Sequence, residues 1–302
     1  MTKTVLVAGA TGYLGQQIVQ RYMQLGWYVR ALVRDADAAQ RKNLIASEIF
    51  EGEATKPETL RGTMNGVDLV VSALGITRQR DGLTYRDVDY QANANLLDEA
   101  LAADVPQFAY VHILNADKMR GVAVVDAKQA FVDRLKAAPI ASNVVCPSGF
   151  FSDMADFFNM AKSGRVWLFG DGKLRLNPID GADLAIAFAD AIEQQLDWVD
   201  VGGPDILSQR ELADMAFDAL GKRTKIIKLP DVLRRIALRM LPWITPAHIH
   251  GPAQMFLTAL GMDMIGTPMG TRRIADHFDQ LNTMERDQTD RQVRHISDER
   301  LA

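Results

Sequence analysis

The sequence predicts an α/β protein, a doubly wound parallel sheet with a smaller C-terminal lobe. Three observations carry this reading. Short apolar runs bounded by turn residues alternate with helical periodicities through the first 150 residues, as strand–helix–strand units require. The first run leads directly into a glycine triplet and then into a helical pattern. Beyond Pro147 the alternation loosens into shorter, mixed elements.

Taken in order, the strands fall at residues 4–8, 28–33, 48–51, 67–73, 107–113 and 140–146, with the main helices at 13–25, 85–103 and 125–137. The helix starting at Tyr85 places Leu96, Leu97, Ala100 and Leu101 on one stripe that presses on the sheet. Asn93 and Asn95 are then available for polar contacts at its flank. In the second half a helix at 154–162 precedes a strand at 166–169 and a turn at Gly170-Asp171-Gly172. Asp180 suits the N-cap of a helix at 182–193, and Ser208 caps another at 209–220 that Gly221 stops. Residues 232–241, between Pro230 and Pro242, are amphipathic: Leu233, Ile236, Ala237 and Met240 oppose Arg234, Arg235 and Arg239. That short apolar stripe is expected to face the core of its own lobe, so no membrane binding is expected from it. From Thr283 onward, polar and charged types with little apolar periodicity predict a flexible tail.

With 302 residues and 48% hydrophobic content, the chain can bury one large core or a core plus a smaller lobe. A net charge of −4 gives no basic surface of the kind nucleic acid requires, so nucleic acid is not an expected partner. The single cysteine, Cys146, sits in an apolar run and reads as a small buried hydrophobe rather than a reactive thiol. The N-terminus lacks the pattern of a secretory signal, and no run approaches the roughly 18 apolar residues of a membrane span. A cytoplasmic location is therefore expected.

The strongest motif is Gly9-Ala-Thr11-Gly12-Tyr13-Leu14-Gly15, which follows the first strand and opens the first helix. Glycines are needed there for the tight turn, for close approach of a pyrophosphate and for helix–strand packing, while the helix N-terminus offers unpaired N–H groups to phosphate. Residues 1–150 are thus expected to form a Rossmann-type NAD(P)-binding domain. Residues 151–282 would form the smaller substrate lobe, partly interleaved with the first domain, and 283–302 the tail. Arg34 stands at the end of the second strand, where an acid would hold the 2′-hydroxyl of NAD; a guanidinium suits the 2′-phosphate of NADP. NADP is therefore the expected cofactor. The alternative is that Arg34 is a solvated strand-end residue and Asp35 reads the ribose.

The glycine loop, Arg34 and the later Asn177-Pro-Ile-Asp-Gly-Ala-Asp-Leu-Ala185 together resemble the atypical short-chain dehydrogenase/reductase families. Within them the chain is similar to the NmrA-like, isoflavone-reductase-like and divinyl chlorophyllide 8-vinyl reductase-like branches. The resemblance implies that Ala73, Leu74 and Gly75 line the cofactor, that Glu53 and Ala54 reach the adenine, and that Pro147, Gly149 and Phe150 border the nicotinamide and substrate. The family's usual catalytic set is a Ser at the end of the fifth strand and a Tyr-x-x-x-Lys on the next helix. Here His112 stands at the serine position, Val124 at the tyrosine position and Lys128 at the lysine position. The resemblance thus implies an NADP(H)-dependent reductase acting on a small to medium apolar carbonyl or conjugated alkene, with Lys128 orienting the nicotinamide ribose or polarising the substrate and His112 relaying a proton. The alternative is a non-catalytic NADP-binding sensor or assembly factor.

Other residues read more plainly. The five histidines form no metal set: His248 and His250 are close in sequence but lack a third ligand at usable spacing. Met255, Met262, Met264 and Met269 suit adaptable packing, and an apolar substrate if they line the cleft. Trp243 has the same two readings. Lys222, Arg223, Lys225 and Lys228 make a basic stretch, by default a solvated face, otherwise a contact for an anionic substrate, an anionic lipid surface or a protein partner. A homo-oligomer is also open.

Overall fold

The computed structural model describes residues 2–76 and 82–301; the side chains of residues 247–249 and 288–301 fall outside that description. The first half builds β1 (Thr4–Ala8), α1 (Tyr13–Gln24), β2 (Tyr28–Val33), α2 (Ala36–Arg41), β3 (Glu48–Glu51) and β4 (Leu69–Ser72). It continues with α3 (Asn93–Ala102), β5 (Gln107–Val111), α4 (Ala123–Ala137) and β6 (Ala141–Pro147). The second half supplies α5 (Ala155–Lys162), β7 (Val166–Phe169), β8 (Arg175–Leu176), α6 (Gly181–Glu193), β9 (Trp198–Gly202), β10 (Leu207–Ser208) and α7 (Gln209–Ala219). It closes with β11 (Ile226–Leu229), α8 (Asp231–Ile244), α9 (Ala247–Ala259), β12 (Thr267–Pro268) and α10 (Ile274–Leu301).

Eight strands form one parallel sheet in the order β12-β9-β6-β5-β4-β1-β2-β3. Strands such as β1 are buried on both faces, which is why they read as continuous apolar runs rather than as alternation. One face carries a core in which Ile18 and Val19 of α1 meet Leu184 and Phe188 of α6. The other buries Leu96 and Leu97 of α3 with Phe131 and Leu135 of α4. The strand order reverses between β1 and β4, the switch point at whose C-terminal strand ends open α/β sheets form a crevice.

The second half does not stay apart, for β9 and β12 extend the first sheet. What remains is a lobe built on β7 paired with β11, with α5, α7 and the start of α10 enclosing Phe157, Leu212, Phe217 and Phe278.

Several expectations need correction. The predicted helix at 85–103 begins as a π-helical turn at Arg86–Ala92, because Asn93 Nδ2 reaches back to the carbonyls of Val88 and Asp89. Asn93 and Asn95 are buried rather than flanking; Asn93 bonds Ser72 Oγ and Asn95 bonds the Ala54 carbonyl at 2.8 Å. Residues 283–301, expected as a flexible tail, are helical as part of α10, whose first turns are fixed by Ile274 and Phe278 in the lobe core. The stripe on 232–241 does not face its own core: none of the residues of α8 is buried.

Candidate functional site

The crevice is built around the first glycine loop. Gly9 turns with φ +80°, and a side chain there would stand 2.8 Å from the Ala73 carbonyl oxygen. Gly12 is the N-cap of α1 and donates its N–H to the Gly9 carbonyl at 2.9 Å. Gly15 lies so close to that same carbonyl that no side chain fits. No side chain caps α1 and no acid occupies its first turn, so a helix N-terminus opens at the strand ends with its dipole uncompensated. Leu14 is buried and holds the helix to the sheet, while the Thr11 carbonyl accepts from Lys42 Nζ at 3.3 Å.

Tyr13 ties this loop to the second half. Its hydroxyl accepts from the Gly181 N–H at 3.1 Å, and its ring meets Phe150 edge-on at 5.9 Å. Burial pushes the Tyr13 phenol above its usual range, so it remains protonated. Pro147 ends β6, and its carbonyl accepts from the Leu114 N–H at 3.2 Å; the Gly149 carbonyl accepts from Ile179 at 2.9 Å. These bonds bring the segment after β6 against the glycine loop. Asp180 caps α6 through a bond from the Ala182 N–H at 2.9 Å, as the sequence predicts.

Arg34 is exposed just beyond β2. Its neighbour Asp35 caps α2, its Oδ1 accepting from the Ala38 N–H at 2.8 Å. Lys42, which sequence reasoning missed, adds a second cation beside the glycine loop. Glu53 is engaged by Lys56 at 2.6 Å, whose ammonium holds the carboxyl below the usual range; its N–H bonds Thr59. The Ala54 carbonyl is held by Asn95.

The opposite wall carries the charged groups. Ala73 hydrogen-bonds Ala8 at 3.0 Å, Leu74 bonds Ser72 Oγ at 3.3 Å, and the chain then passes Gly75. A side chain at Gly75 would stand 2.8 Å from Asp89 Oδ1 and 3.1 Å from Lys128 Nζ, so this glycine leaves room for the pair; burial pushes the Asp89 carboxyl up from its usual range, against the pull of Lys128. Lys128 Nζ lies 3.3 Å from Asp89 Oδ1, 3.3 Å from Tyr110 Oη and 3.3 Å from the Val111 carbonyl. Burial pulls the Lys128 pKa down, but Tyr110 and Asp89 outweigh it and the net direction is up: Lys128 is an ammonium. Tyr110, driven up to about 12 mainly by burial, stays a phenol. Neither Asp89 nor Tyr110 was singled out from the sequence. The available signal was Asp89 standing one helical turn before Asn93, which gives a helix that packs on a sheet two polar residues on one side.

His112, expected to relay a proton, is buried. It is 1% exposed beneath α4, with Nε2 3.1 Å from Gln129 Oε1 and its ring edge-on to Trp198. Burial, helped by the charge of Lys128, lowers its pKa to about 4, so it is neutral across the physiological range. Val124, at the tyrosine position, is buried among apolar neighbours. Tyr85, Leu114 and Met264 cluster with Val124, Val125 and Ala127 of α4, in the turn before Lys128, and Ile76, Met255 and Met262 pack against them. Met269 packs elsewhere, on the main sheet core. Trp243 is 85% exposed and lines no cleft. Among the described residues no three His, Cys, Asp or Glu side chains are grouped to hold a metal ion, and no helix is long and apolar enough to cross a membrane.

Fold and site together define a nucleotide-binding α/β protein with a lysine-centred crevice. By its sequence the chain belongs to the NmrA-like family, whose model matches residues 1–230. Among curated proteins it is similar to the photosystem II assembly factor Ycf39 of Guillardia theta, at 25% identity over 75% of this chain and 73% of that protein. It is also similar to the chloroplastic divinyl chlorophyllide a 8-vinyl-reductase of Zea mays, at 29% identity over 75% of this chain and 62% of that protein. Among solved structures, the NADPH-dependent quinone oxidoreductase QOR2 of Escherichia coli, complexed with NADPH, superposes with a TM-score of 0.73 at 18% identity, covering 92% of this chain and 99% of that one. The Citrobacter sp. triphenylmethane reductase complexed with NADP(H) gives 0.72 at 16% identity with the same coverage. These two share the fold with this chain.

Proposed function

We propose that this protein is an NADPH-dependent reductase of a small to medium apolar substrate bearing a carbonyl or conjugated alkene. The observation that carries the reading is the Lys128 ammonium, set with Asp89 against Gly75 at the edge of the crevice that begins at the α1 N-terminus. The residues suit the cofactor: the uncapped first turn of α1 suits a pyrophosphate, and Arg34 with Lys42 suits a 2′-phosphate. Two relatives in fold crystallised with NADPH or NADP(H) support the same choice.

Bound there, NADPH supplies a hydride from its nicotinamide. Lys128 holds the nicotinamide ribose or polarises the substrate oxygen, and its positive charge stabilises the negative charge that develops on that oxygen. Asp89 and Tyr110 fix the ammonium in place. The apolar cluster of Tyr85, Leu114 and Met264 next to the Lys128 turn of α4 receives the substrate and excludes water from the reacting carbon. With His112 sealed beneath α4, the final proton comes from Lys128 or from solvent.

The replacement of the usual serine and tyrosine by His112 and Val124, with the likeness to an assembly factor, favours one second reading: a sensor whose cofactor occupancy is read by a protein partner. The test is loss of NADPH absorbance against a panel of enones, quinones and aldehydes, run beside calorimetric titration of NADPH. Turnover with any member supports the reductase. Tight NADPH binding without turnover across the panel transfers the assignment to the sensor, and absence of NADPH binding refutes both.

A further inference from the structure

The second half of the chain carries a surface that the crevice does not use. Val232, Leu233, Ile236, Met240, Trp243 and Ile244 are all exposed on α8, from 44% at Leu233 to 85% at Trp243. Positions 232, 236, 240 and 243 recur at the spacing of successive helical turns, so these side chains form one stripe along the helix. The orientation is fixed from the other side. Arg234 bonds Asp231 at 2.6 Å and the Leu257 carbonyl of α9 at 3.0 Å, turning the opposite face of α8 onto α9. The stripe therefore cannot roll inward without breaking that anchor. It also lies beyond residue 230, where the match to the NmrA-like family ends, so the family resemblance does not account for it.

The charges on and next to α8 in the sequence indicate what covers the stripe. Between Lys222 and Ile244 the chain has seven cations, Lys222, Arg223, Lys225, Lys228, Arg234, Arg235 and Arg239, against the single carboxylate of Asp231, in a protein whose net charge is −4. All but Arg234 of these cations are exposed. A helix with an apolar stripe, an exposed tryptophan and basic flanks matches the pattern of helices that lie in the headgroup region of a membrane. A second copy of the chain is a poor fit. Self-pairing of this face would set the two basic clusters against each other, and six apolar residues fall well short of the roughly 20–30 residues a stable interface takes from each side.

We propose that α8 docks the protein on an anionic lipid bilayer, with the stripe from Val232 to Ile244 set into the acyl boundary and the cations at the headgroups. No helix among the described residues is long and apolar enough to cross a membrane, so the attachment is peripheral. The docking is independent of whether the crevice catalyses reduction.

The experiment is co-sedimentation of the full chain with phosphatidylcholine vesicles, with and without phosphatidylglycerol. Binding is expected only to the anionic vesicles, with release at about 1 M salt, where the Debye length is about 3 Å. The double variant Trp243→Ser, Ile236→Ser should lower binding about tenfold or more while leaving the circular dichroism spectrum unchanged, since both side chains are exposed. Arg239→Glu should lower it about fivefold for each unit of charge changed. Absence of binding to the anionic vesicles, equal binding to neutral ones, or unchanged binding of the double variant overturns the proposal. So does a dimer in sedimentation velocity that the double variant converts to monomer, which would assign the stripe to a second copy.

Discussion

Lys128 illustrates how burial and partners compete at one atom. Desolvation pulls its pKa down; Tyr110 and Asp89, each 3.3 Å away, outweigh it and hold it up. Asp89→Asn removes the counter-charge, so the Lys128 pKa falls, and the alkaline limb of the pH–rate profile for NADPH oxidation should move to lower pH. An unchanged limb would mean that Lys128 does not titrate in the rate-determining step. Arg34→Ala should weaken NADPH binding by one to two decades, the worth of about 1.5–3 kcal/mol for a charged hydrogen bond, and leave NADH nearly unaffected. Calorimetry with both cofactors decides it, since equal losses exclude a 2′-phosphate contact. His112 makes a prediction of opposite character, on stability rather than rate. Its folded pKa of about 4 lies below the unfolded value of about 6.5, so between these values the unfolded chain binds more protons and stability falls as pH falls. Full stability is present above about pH 6.5. Urea unfolding at pH 7 and pH 5 should show the wild type losing about 2 kcal/mol more than His112→Gln, a difference of at most 1.4 kcal/mol per pH unit. The reduction rate of that variant should keep its pH profile.

At the scale of elements, short-range chemistry decides the ends and long-range packing the faces. Asp180 caps α6 in the same turn whose Gly181 N–H meets Tyr13, so this helix start also positions the glycine loop. Asp180→Ala should cost about 1 kcal/mol, read as a lower urea midpoint without change in slope. A change in slope would mean that the lobe loosens as well. Ser208 caps α7 as the sequence predicts and forms a reciprocal box with Glu211. The face of α8 was not so readable. Its period fixes an apolar stripe, but period alone cannot say whether a stripe looks inward or outward; the anchor of Arg234 on α9 decides that.

Across the whole molecule, polar as well as apolar contacts hold the last elements of the chain to a helix of the main sheet. Asp183 of α6 is nearly fully buried and accepts from the Thr271 and Arg272 N–H groups at 2.8 Å each, and it pairs with the Arg272 guanidinium. These bonds fix the segment between β12 and α10 on a helix of the main sheet. Removing the carboxylate leaves those donors unpaired, so Asp183→Ala should destabilise the chain by roughly 3 kcal/mol, seen in urea unfolding as a lower midpoint. A loss below about 0.5 kcal/mol would show that water replaces the carboxylate without penalty.

The sequence by itself determined the sheet, the glycine turn and the caps. Each of these is set within a few residues: apolar runs bury on both faces of a parallel sheet, Gly9 alone tolerates its φ of +80°, and Asp180 and Ser208 reach their own helix starts. It also named Lys128 from a motif position. Tertiary structure alone decided which polar groups meet that lysine, because Asp89 comes to it from 39 positions upstream through the packing of α4 on the π-helical turn. It decided that His112 lies beneath α4 as a neutral ring, since burial is a property of the neighbours and not of the residue. It decided, too, that the polar run from Thr283 continues a helix, because Ile274 and Phe278 bind the start of α10 to the lobe core, and a helix once nucleated extends at little further cost.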